Sequence, residues 1–196
     1  YNTWYVPNNM ALILVGDFDI EATKPLIEKT FGKLQARPLP ERTKYPTTAF
    51  AQDERYSAKL GYMPELYIAY NGVPVGDKDE LLLDFLGEIL SNSMQIGLLD
   101  ELTLDNKLMY AGAANDVRRD QGRFLVVAVP YMDAETQTYT SLKETEKLVN
   151  DVIQQLVSGN ISEELVEAVR QNFYQEFDRT MEYPEMKVQL LQNAFT

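Results

Sequence analysis

Histidine and cysteine are both missing from this sequence. Without cysteine there can be no disulfides, thiolate metal sites or thiol nucleophiles, and the redox compartment is left open because the absence suits any of them. Without histidine, the commonest ligand of catalytic zinc and the usual general base near neutral pH are gone as well. Carboxylates alone hold calcium or magnesium in other proteins, yet no D-x-[DN]-x-[DN]-G loop occurs here. A carboxylate pair suited to glycoside hydrolysis arises by chance among 30 acidic residues and carries little weight. The sequence therefore predicts no catalytic residue and no metal site of its own. Basic residues are also scarce, 18 against the 30 acidic ones, for a formal charge of −12. That balance repels phosphate backbones and anionic headgroups, so neither nucleic acid nor a membrane surface is an expected partner. The longest apolar runs, residues 10–15 and 124–129, fall far short of the roughly 18 to 20 residues that cross a bilayer. No membrane span is expected, and residues 1–9, with one tryptophan, two tyrosines and no basic cluster, read as neither signal nor transit peptide.

What is present is a 196-residue chain, 45% hydrophobic, able to bury a sizeable core. Residues 9–15 read as a buried strand ending at Gly16-Asp17. Residues 20–34 then read as an amphipathic helix capped by Asp19 or Thr23, with Ile27, Phe31 and Leu34 as its core face. Residues 39–52, with Pro40 and Pro46, read as a loop. Alternating apolar residues predict strands at 55–60 and 66–73. Asp77 with Glu80 resembles a capping box before Leu81, Leu82, Phe85, Leu86, Ile89 and Leu90 at helical spacing, and a short helix follows at 96–104. Two strands, 108–117 and 123–130, form a hairpin. A helix over 138–158 ends at Gly159, and another opens at Asn160 or Ser162 and is interrupted at Tyr183-Pro184. This order fits neither a βαβ repeat nor a helix bundle. It predicts a single α+β domain over 1–196: a mostly antiparallel sheet with helices packed on one face. The last helix, begun at 185 and stopping uncapped at 196, reads as truncated, as in a piece of a longer chain.

Trp4-Tyr5-Val6-Pro7-Asn8-Asn9-Met10, the apolar run to Val15, Gly16-Asp17-Phe18-Asp19 and the helix ending Phe31-Gly32-Lys33-Leu34 together resemble the opening of the second, non-catalytic domain of M16 (insulinase/pitrilysin-like) zinc metallopeptidases. The likeness runs from Trp4 to about Phe177 and is most specific over the first forty residues. It implies a LuxS/MPP-like metallohydrolase fold. It also implies a role as chamber wall around peptide or unfolded polypeptide substrates, packed against other M16 domains of the same chain or of a paired subunit. The family's zinc lies in a different domain, on an H-x-x-E-H helix that a chain without histidine cannot carry. The cofactor implied is thus none in this segment and zinc in the parent protein, and this segment alone is expected to be inactive. The resemblance leaves localisation open between periplasm and cytoplasm of a bacterium.

The family also holds the scissile region with an arginine and a tyrosine. Tyr110 falls where that tyrosine is expected, while Thr103 stands in the place of the arginine. That departure argues against catalysis in trans and favours the domain directly following the zinc domain. Tyr110 is the single substrate-binding candidate. Arg118, Arg119 and Arg123 around the hairpin loop suit an anion, although a solvated turn explains them as well. Gly16-Asp17 lacks the glycines and lysine of a phosphate loop. The rival reading is a scaffolding or interaction domain of a catalytically dead M16 relative.

Overall fold

A computed structural model describes residues 2–43 and 50–195. The chain divides into two compact units, one of Pro46–Tyr174 and the other of Tyr1–Tyr45 with Gln175–Thr196. The described residues hold six helices and a three-stranded antiparallel sheet.

The larger unit carries the sheet. Strands β1 (Leu66–Asn71), β2 (Leu108–Asp116) and β3 (Arg123–Pro130) lie in the order β1-β3-β2. Leu66 stands opposite Ala128 and Asn71 opposite Arg123, while Asp116 pairs with Arg123 and a bulge between Leu108 and Tyr110 shifts the other end of β2. Alternate residues of β3, namely Phe124, Val126 and Ala128, are buried against helices α2 (Glu80–Leu90), α3 (Asp100–Leu104) and α4 (Leu142–Val157). Leu90, Leu99 and Val149 are fully buried there. Each such side chain contributes roughly 1.5–3 kcal/mol relative to exposure. Helix α5 (Glu163–Glu182) adds Val169, and its Phe173 meets Phe85 edge to face at 6.1 Å.

Local chemistry sets the helix limits. The Ser141 hydroxyl accepts from the Glu144 amide and caps α4, which ends before Gly159 at φ +70°. The Ser162 hydroxyl accepts from the Leu165 amide at the start of α5. Around α2 the expected capping box is rearranged. Asp77 accepts from the Asp79 amide, Glu80 reaches back to the Gly76 amide, and the helix begins at Glu80. The expected helix over 96–104 is regular only from Asp100. Amides of Asn92 and Gly97 are drawn to the Asp100 carboxylate, and Leu98 and Leu99 donate to the carbonyls of Ile89 and Leu90, so 92–99 folds back on the end of α2.

In the smaller unit, helix α1 (Ile20–Phe31) is capped by Asp19, which accepts from the amides of Glu21 and Ala22. Helix α6 (Pro184–Phe195) follows the interruption at Tyr183-Pro184. The strand expected at 9–15 is not formed: residues 10–15 pair with nothing in this unit's described residues, and Met10, Leu12 and Leu14 are about half exposed. The chain before them is fixed by the Asn8 side chain, which donates to the Arg37 carbonyl and accepts from the Arg37 amide at 3.0 and 3.2 Å. Of the core face expected on α1, Ile27 is half-buried and Phe31 is exposed, as is Leu34 just beyond the helix. Residues 55–60, also expected as a strand, are exposed and have no strand partner among the described residues. Arg55 is instead drawn to Glu146 on α4. The middle of the 39–52 loop lies outside the described residues.

Candidate functional site

The sheet has two unlike faces. One is sealed by helices, and the pleat puts Tyr67, Leu125, Val127, Tyr110, Gly112 and Ala114 on the other. Register sets Tyr67, Val127 and Gly112 in one transverse row, with Tyr110 beside Val129 in the next. The two tyrosines therefore stand on the outer strands, roughly two strand spacings or 9–10 Å apart across β3 and offset by two residues, about 7 Å, along it. Each lies along its own strand. The Tyr67 hydroxyl donates to Glu65 at 2.7 Å, and this bond with the carboxylate's charge holds the phenol above its ordinary range. The Tyr110 ring lies over Gly112 and is 55% exposed on its outer side.

Thr103 sits on α3, where its hydroxyl donates to the Asp100 carbonyl at 2.7 Å. The position in which the resemblance expects an arginine is thus occupied by a residue bonded into its own helix turn. Two of the three hairpin arginines, Arg118 and Arg123, are likewise engaged. Asp116 lies 2.9 Å from Arg123 and 2.8 Å from Arg118, and the hydrogen bond from Arg123 leads in holding its carboxyl below the usual range. The hairpin loop is stitched to the turn after β1 as well, with the amides of Gly72 and Val75 donating to the carbonyls of Gly122 and Arg118. Two guanidinium groups already paired with a carboxylate make a structural clasp rather than an anion receptor.

No cluster of three metal-ligating side chains occurs among the described residues. With neither histidine nor cysteine in the sequence, the donor set does not fit a catalytic zinc on this chain.

Residues 1–173 match the family model described as the peptidase M16 inactive domain. The chain belongs to this family. A stretch of 49 residues, 25% of the chain, is 43% identical to the probable zinc protease PqqL of Escherichia coli (strain K12) and covers 5% of that protein. The fold matches a crystal structure of a protease from Helicobacter pylori with a TM-score of 0.68 at 20% identity, over 90% of this chain and 43% of that one. The M16 domain thus spans less than half the length of either relative. Of the open-face residues, Tyr110 was reachable from the sequence motif. Tyr67 and Gly112 were not, since their place beside it follows from strand register.

Proposed function

We propose that this M16 domain is a single non-catalytic domain of a zinc-dependent metalloendopeptidase. It walls the substrate chamber with its open sheet face and packs against the zinc-bearing domain. Tyr110 is its contact with the peptide. The observation that carries this reading is the asymmetry of the sheet: helices cover one face, while the other presents exposed tyrosines on its outer strands, beside smaller apolar side chains. Tyrosine supplies contact area at low conformational cost, which suits a wall that must accept varied peptides. The net charge of −12 adds a field favourable to basic segments of an unfolded polypeptide. The family match and the likeness to a probable zinc protease support the assignment to a peptidase.

The test is hydrolysis of a quenched fluorogenic peptide by the full-length protein and by these 196 residues alone, with and without a zinc chelator. Turnover by the full-length protein only, abolished by the chelator, is the expected result. Silence in both with zinc supplied favours the scaffolding reading, and turnover by the isolated domain overturns the proposal.

A further inference from the structure

We propose that Gly112 is a positioning residue. Its missing side chain lets the Tyr110 ring lie flat along β2, and this placement presents the ring's outer face to a bound peptide. The proposal rests on the reading of Tyr110 as a peptide contact. Tyr110 and Gly112 are two residues apart on one strand and so share the open face. A Cβ at Gly112 would fall 2.6 Å from the Tyr110 hydroxyl oxygen and 3.1 Å from Cζ, closer than atoms approach without movement. Gly112 is buried although Ala114, next along the same face, is exposed, and the ring is its cover.

The backbone supplies no other reason for glycine here. Gly112 is not among the residues with positive φ, which are confined to other positions of the described chain. A strand interior also tolerates glycine poorly, since it loses more freedom on folding and has no side chain to pack. What glycine permits is the space the ring occupies. The atoms that an added methyl would strike belong to the far end of a side chain, so the ring rotates to another staggered position and leaves the sheet while β2 keeps its register.

The experiment uses the full-length protein with three variants: Gly112→Ala, Tyr110→Ala and the double substitution. Peptide hydrolysis and thermal unfolding are followed for each. Gly112→Ala is expected to raise KM roughly five- to tenfold with kcat little changed, the pattern of lost uniform binding. Tyr110→Ala does the same, and the double variant is no worse than Tyr110→Ala. The unfolding midpoint of Gly112→Ala stays close to that of the parent. A Gly112→Ala enzyme with unaltered KM beside an impaired Tyr110→Ala enzyme overturns the proposal and leaves the peptide contact standing, as does strict additivity of the two changes. An unimpaired Tyr110→Ala enzyme, or a parent that cleaves nothing with zinc supplied, removes the contact and the proposal together. The geometry is also read without touching residue 112: the Gly112 α-protons should resonate upfield under the ring and return to ordinary positions in Tyr110→Ala. Unshifted protons in the parent overturn the proposal even if Gly112→Ala fails to fold.

Discussion

The Asp100 carboxylate takes a hydrogen bond from the Ser91 hydroxyl at 2.9 Å and binds both ends of the loop between α2 and α3. Its other oxygen accepts from the amides of Asn92 and Gly97 at 3.0 and 2.9 Å. Asp100 is 6% exposed, so water does not replace it when it is removed. Asp100→Ala should therefore lose about 2–4 kcal/mol of stability, the cost of stranding buried amides together with the lost bonds. Urea unfolding checks this, and a loss below half a kcal/mol would show that the loop finds other acceptors.

The same loop leaves no room at Gly97. A Cβ there would lie 2.5 Å from the Leu90 carbonyl oxygen and 2.6 Å from its carbon, and neither atom yields without moving α2. Gly97→Ala should destabilise by about 1–3 kcal/mol, as overpacking does elsewhere. Gly61→Ala, where none of the described residues lies within 4 Å of the added Cβ, is the matched control and should be near neutral.

Thr145 presents the opposite case. It is 0% exposed on α4, and its hydroxyl has no hydrogen-bond partner among the described residues. Thr145→Val removes a desolvated polar group at nearly equal volume, so a gain of about 1 kcal/mol is expected. Loss of stability in chemical denaturation would mean that the hydroxyl is satisfied after all.

Acid should weaken the domain through two ion-paired carboxylates. Bonds from Arg123 to Asp116 and from Arg55 to Glu146 hold both folded-state values below the usual range. Such groups favour folding above their unfolded pKa, and the contribution is lost as pH falls through the depressed folded values. Unfolding midpoints measured downward through the carboxylate range should fall, and fall less steeply for Asp116→Asn and Glu146→Gln. Raised salt should shrink the difference, because these pairs face solvent.

The elements with their own signals were legible in the sequence. The bounds of β3 were expected where they are found, Asp19 and Ser162 cap as the sequence suggested, and Tyr183-Pro184 interrupts the helices. Residues 10–15, a continuous apolar run, and 55–60, an alternating one, show why such patterns alone are insufficient: they report a preference for extended chain, while a strand also needs a neighbour to take its hydrogen bonds. The loop at 92–99 was hidden because Asp100 reads as an ordinary helix acid until its carboxylate is seen binding amides on both sides. The candidate site was legible only at Tyr110. Its neighbours across the sheet depend on pairing between β1 and β3, such as Tyr67 with Val127, and no local pattern encodes a register over that separation.

The strand order carries a consequence for synthesis. Strand β3 lies between the other two yet is the last of the three in sequence. A nascent chain that has emerged only as far as Asp116 holds β1 and β2 with unpaired edges and no shared neighbour. Until Pro130 leaves the ribosome, those edges are templates for other chains. The β2–β3 hairpin closes over a short loop, whereas β1 must wait for its partner across more than fifty residues, so hairpin formation should precede capture of β1. The vulnerable interval in the life of this domain is therefore the passage of residues 71–130 through the exit tunnel, when half-made sheet is exposed to the cell's chaperones.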